Sequence, residues 1–380
     1  VSNGITLTNA NGASITGGNG GNNGVGGAAC CQSDTPMGGA GITGNGLTIF
    51  NSGSIAGGSG GNNGGSSGSP GGAGGAGVAG SGLTITNSGS IAGGNGGGPT
   101  GAGGAGIIGS NLQIVNAGKI TGGLDGTGTI QANAITFTGG TNSLEIDAGS
   151  TITGNVVAFS PADTFILGGS TNATFNMAQI GPGALYQGFG QYQKTGASTW
   201  TLTGSTLTTT PWTISAGTLQ LGDGTTNGAT TGNINDNAAL AFYPATGTTM
   251  AFDGVVSGTG MASQTGPGTT VLTGANSYAG PTTVSAGSLY VNGDQTAATG
   301  ATTVASGATL GGTGIIGGSV SVNGGTLAPG AAAGGIGTLT INGNLGLTSS
   351  STLDYSFGQS TVPGVPLNDL TVVKGNLTLD

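Results

Sequence analysis

Residues 74–94 read GGAGVAGSGLTITNSGSIAGG. A near copy, GGAGITGNGLTIFNSGSIAGG, fills residues 38–58, and a third, GGAGIIGSNLQIVNAGKITGG, fills residues 103–123. Each copy has 21 residues, and glycine-rich inserts precede them: 19 residues at Asn19–Met37, 15 at Ser59–Ala73 and 8 at Asn95–Ala102. A constant unit with a variable insert at one phase is the signature of a solenoid whose loops leave from one corner. Within the unit, LTI at residues 47–49 and 83–85 and LQI at 112–114 alternate apolar and polar side chains, as a one-sided strand requires. Three such strands per rung, joined by glycine bends and paired in parallel with the rung above, make a parallel β-helix.

A shorter motif carries the rung along the chain. It stands at Asn51–Ile55, Asn87–Ile91, Asn116–Ile120 and Asp147–Ile152, and again at Ser215–Leu219, Ser285–Leu289, Ala305–Leu310 and Asn323–Leu327. With about 20 residues per rung this predicts on the order of 15 rungs. Corners turned in two to four residues call for positive φ, which glycine accepts freely and asparagine tolerates best among the rest. Asn51, Asn87 and Asn116 then fall in register, either as turn formers or as a ladder of amides bonded up and down the coil.

Composition narrows the function. The 380 residues include 90 Gly, only 4% are charged, and the net charge is −9 with three lysines, no arginine and no histidine. Lys119, Lys194 and Lys374 are too few and too scattered to release counterions from a nucleic acid. Glycine at this level, without a strict three-residue period over the chain, excludes collagen, and the recurrent β-branched runs argue against disorder. No run of eighteen apolar residues spans a bilayer, and VSNGITLT at the start lacks a signal peptide's basic and apolar regions. Cys30 and Cys31 are adjacent inside the first insert. They are either an incidental pair or a vicinal disulfide that stiffens the loop in an oxidising compartment.

The second half has a longer repeat. KTGASTWTLTGSTLTTTPWTISAGTLQLGDG from Lys194 aligns with QTGPGTTVLTGANSYAGPTTVSAGSLYVNGD from Gln264, matching Gly196 to Gly266, Leu202 to Leu272, Gly204 to Gly274 and Gly217 to Gly287. The second copy, preceded by VSGTG, closely resembles the passenger-associated transport repeat of Gram-negative autotransporters, a family that usually has Gly where Pro281 stands. LGGTGIIGGSVSVNGGTLAPGAAAGGIGTLTINGNLGL from Leu310 resembles the end of such a passenger. The resemblance implies a right-handed β-helix exported through the outer membrane, with its final rungs as folding nucleus. It divides the chain into rungs with Gly/Asn-rich inserts (1–125), a β-helix with passenger-associated repeats (126–310) and a C-terminal cap (311–380) that precedes a translocator barrel absent from this sequence.

Catalysis by Ser-His-Asp or Cys-His needs a histidine, so the protease and lipase passengers of the family are disfavoured. Glu145 and Asp147 are the one close acidic pair and are read as solvated surface. GGLDG at residues 122–126 is a poor match to a calcium-binding repeat, zinc would need histidine or more cysteines, and no phosphate loop occurs. The expectation is a non-enzymatic chain with no cofactor, no metal and no nucleic-acid partner, touching a membrane only through the barrel. What remains is surface. Uncharged Thr, Ser and Asn rows point to self-association and biofilm formation, and the resemblance implies an adhesin on the cell surface or secreted. The alternatives are a host-surface, matrix or glycan partner bound by the inserts, or a passive stalk. The residues expected to make such contacts are Asn19, Asn22, Asn23, Asn62, Asn63, Ser66, Asn95 and Thr100.

Overall fold

When strands stack in parallel one rung apart, like side chains fall over like, and a short apolar repeat becomes a column. The computed structural model describes residues 4–22, 36–62, 71–332, 334–358 and 368–380. Among these the strands pair in parallel, and the helical content is one 3₁₀ turn, Met177–Gln179. The fold is a right-handed parallel β-helix. It divides into two compact units, Val1–Gly168 with Gln179–Gln191, and Gly169–Ala178 with Tyr192–Asp380.

In the first unit each early rung has three strands, as in Val78–Ser81, Thr84–Asn87 and Ser90–Ala92. Register stacks Leu7, Ile49, Ile85, Ile114, Leu144 and Phe165 in one column. Ile15, Ile55, Ile91, Ile120 and Ile152 form a second, and Ile42, Val78, Ile107, Ile135, Val156 and Tyr186 a third. The three columns meet inside the coil, where most of these residues are buried. Aliphatics give way to rings in the later rungs: Phe165 lies 4.7 Å from Tyr186 and 5.8 Å from Phe189, centroid to centroid. The corner between the first two strands turns at Gly46 and Gly82, both at φ +66°, and at Asn111, at φ +52°, so the third copy fills with asparagine the left-handed position that glycine fills in the others.

The second unit carries a longer ladder of ten strands from Ala173–Asn176 to Leu377–Leu379. A six-strand ladder from Thr249–Phe252 to Thr352–Leu353 makes another of its sides. The seventy-residue repeat is not a whole number of rungs. In the first copy, Thr199–Thr203 and Thr218–Leu221 lie on the ten-strand ladder. In the second copy their counterparts, Thr269–Leu272 and Ser288–Val291, lie on the six-strand ladder, one side further round.

Candidate interaction surface

The inserts were expected to be loops. Their described residues instead form pairs of legs, one leaving the coil and one returning, and the legs of successive rungs are bonded into a lattice. Residues 57–62, GGSGGN, show the rule because all six N–H groups are used. Gly57 and Gly60 donate to Ala92 O and Asn95 O in the outgoing leg of the next rung, at 2.9 and 2.8 Å. Gly58 and Gly61 donate to Gly39 O and Pro36 O in the returning leg of the preceding rung, at 2.8 and 2.9 Å. Ser59 and Asn62 donate to the Oδ1 atoms of Asn19 and Asn22, both at 2.8 Å.

Three directions in three residues is the geometry of an extended helix with three residues per turn. It explains the glycines in a way that corner-turning does not. None of Gly57, Gly58, Gly60 and Gly61 has positive φ. A Cβ on Gly58 would sit 2.1 Å from Gly18 O, and one on Gly60 would sit 1.9 Å from Gly72 O. The legs pack backbone to backbone, with no room for side chains on two of their three sides.

The third side is where side chains stand. On the outgoing legs it carries Asn19, Asn22, Ser59, Asn62 and Asn95; on the returning legs, GGAGGAG at 71–77 and its relatives, it carries Met37, Ala40, Ala73, Ala76, Ala102 and Ala105. The asparagines run on from rung to rung, with Asn62 Oδ1 accepting from Gly98 N at 2.6 Å and Asn95 Oδ1 from Leu124 N at 2.9 Å. Thr100 Oγ1 accepts from Gly71 N at 3.0 Å. Five of the eight residues expected to make contacts are thus brought together; Asn23, Asn63 and Ser66, like Cys30 and Cys31, lie outside the described residues.

A second asparagine row is internal. Nδ2 of Asn9 donates to Asn51 Oδ1, that of Asn51 to Asn87 and that of Asn87 to Asn116, each at 2.7 Å, and Asn116 ends the run on Ser150 Oγ at 2.6 Å. These amides are at most 3% exposed, so the row holds the corner rather than meeting a partner. Asn9 and Ser150 were not foreseen, because the short motif departs from the NSG pattern at both places.

Other polar groups face inward in the second unit. Lys194 is buried, its Nζ donating to the carbonyls of Thr195, Gly196 and Ala216. Seventy residues on, Gln264 does the same work, donating to Gly266 O at 2.8 Å and Gly268 O at 3.2 Å. Asp236 is also buried: Oδ1 accepts from Ala238 N at 3.0 Å, Oδ2 has no hydrogen-bond partner among the described residues, and burial pushes its pKa up to about 6. Glu145 and Asp147 are half-buried rather than fully solvated, and burial raises the Asp147 carboxyl. Outside, register aligns Thr249, Thr269, Ser288, Thr309, Thr326 and Thr352 in one row of hydroxyls. Among the described residues no three His, Cys, Asp or Glu side chains gather as a metal site, and no helix is long and apolar enough to cross a membrane.

Residues 193–221 and 263–291 match the Passenger-associated-transport-repeat family. The chain thus carries two repeats of the kind that this family describes in autotransporter passengers. The chain is 39% identical over 152 residues to the Adhesin BmaC autotransporter of Brucella suis biovar 1 (strain 1330), a match that covers 34% of this chain and 4% of that protein. It therefore spans a small fraction of the length of this relative. No solved structure matches it. Both matched repeats carry the inward polar residue at their second position, Lys194 in the first and Gln264 in the second. The repeat thus includes the buried group that caps the carbonyls of the following turn.

Proposed function

We propose that this passenger segment works in adhesion at the bacterial surface, copies on neighbouring cells binding one another and so building aggregates and biofilm. The observation that carries the reading is the uncharged, repeating polar surface. The hydroxyl row from Thr249 to Thr352 and the asparagine legs present donors and acceptors at one fixed spacing, with no like charges among them to hold two copies apart. Many weak contacts of this kind sum to firm attachment. The adhesin name of the relative is consistent with it. The reading is non-catalytic, since the chain has neither histidine nor arginine to move protons or clamp a substrate.

Display of the chain on a bacterium that does not clump is the test. The expected result is rapid settling of the culture; a strictly monomeric protein at high concentration, together with dispersed cells, would sink the proposal. The fixed Asn rows on the legs favour a second reading, in which a host-surface or matrix component binds there. Deletion of residues 19–37 and 59–73 would then abolish capture by host cells of a chain whose displaying cells do not clump.

A further inference from the structure

We infer that the asparagine-bearing side of the glycine legs, formed by Asn19, Asn22, Ser59, Asn62 and Asn95, is a plate on which a second copy of this chain docks. The inference rests on the self-association reading and names the surface responsible.

Rigidity comes first. A polar surface on ordinary loops loses conformational freedom when it binds, and that loss offsets the new contacts. Here the backbone behind Ser59, Asn62 and Asn95 is fixed by bonds in three directions and that behind Asn19 and Asn22 by bonds to the adjoining legs, and the glycines beside them sit closer to neighbouring carbonyls than any other residue could. Orientation follows from the same bonds. Oδ1 of Asn19, Asn22, Asn62 and Asn95 is engaged by an N–H of the next rung. Each amide plane is therefore set, and Nδ2 of all four has no hydrogen-bond partner among the described residues, while Oδ1 keeps a second lone pair. The plate is an array of aligned amides, each a donor and an acceptor.

The chemistry of the occupant is read from that array. A nucleic acid or an acidic polymer finds no cation: Asp34, outside the described residues, is the only charged residue before Lys119. A hydrophobic partner finds no large apolar group among the five residues. An identical plate meets all the requirements. Its amides complement amides, and its repeats, about 4.8 Å from rung to rung and about 9 Å between outward residues along a leg, match by construction. Stacked Asn side chains from identical segments form dry interfaces of this type. The returning side of the legs, Met37 with its alanines, offers no donors and is not part of the plate.

The test uses the full chain, displayed and purified, carrying N19D, N62D and N95D together. Aspartate keeps the oxygen that accepts the next rung's N–H but removes the free donor and adds like charge. The expected result is an unchanged β-type circular dichroism spectrum, at least a tenfold loss of association by sedimentation equilibrium, and dispersed cells. A folded triple variant that associates like the parent overturns the inference. A parallel variant, T269D with T309D and T326D, separates the two levels. If it alone abolishes clumping, self-association stands and the plate is wrong; if the parent itself neither associates nor clumps, both fail. Should the triple variant not fold, S59C in a C30S/C31S background decides. Disulfide-linked dimers formed between cells support the plate, and their absence from clumped cells refutes it.

Discussion

Asp236 shows how much one atom can decide in so thin a core. Asp163, also buried, has Oδ1 accepting from the backbone N–H and the Nδ2 of Asn142, and Oδ2 accepting from Phe159 N and Ser160 N. Asp236 has no such cage for Oδ2. Its folded pKa of about 6 lies above the ordinary carboxyl value of 3.8. The folded state therefore holds the proton more tightly than the unfolded one. The contribution of this group to stability is full below about pH 4 and is lost as pH rises through the folded pKa. Urea unfolding between pH 4 and 8 should show that decline, and D236N should flatten it and gain roughly 2 kcal/mol at pH 7. Asn87 is the opposite case, giving to Asn116 and receiving from Asn51. N87A strands groups on both neighbours and should cost about 2–4 kcal/mol by the same measurement. The ladder positions of Asn51, Asn87 and Asn116 were legible because the motif repeats with them. The inward role of Lys194 and Gln264 was not: the two types differ in charge, and aligned sequences do not tell which way a side chain at a strand end points.

At the scale of elements, strands were the readable part, since alternation over three or four residues is set by which face is buried. The legs were misread for a physical reason. Glycine in a sequence suggests positive φ, and at Gly46 and Gly82 that is its use, but at Gly58 and Gly60 it is there because a backbone oxygen occupies the place of Cβ. The signal was present as a local period of three, GGNGGN at 17–22 and GGAGGAG at 71–77. These two uses should separate in experiment. G82A, where a Cβ would meet only ordinary contacts, carries the left-handed strain alone, about 1 kcal/mol. G58A must push Gly18 away or break the lattice, and should lose roughly 3 kcal/mol or more. Amide exchange should distinguish them further, with G58A exposing N–H groups on both adjoining legs.

At the scale of the molecule, the repeat of seventy residues does not make a shared surface. Because it is not a whole number of rungs, the outward residues of its two copies stand on different sides, and no partner can read both copies in one line. The surfaces that do repeat in line are uncharged. Association through them should be indifferent to salt between about 50 and 500 mM, where the Debye length shortens several-fold. Settling rates of displaying cells across that range check this, and a steep salt dependence would point to a charged partner.

The glycine legs also bear on resistance to proteolysis. Proteases cut segments that can be drawn, extended and unbonded, into a narrow cleft. A leg such as residues 57–62 resembles an easily digested spacer when written as letters, yet its six amide hydrogens are all engaged by neighbouring rungs. Trypsin fares no better at Lys194, whose side chain is enclosed by carbonyls. What looks like the most fragile stretch of the sequence is built to outlast digestion.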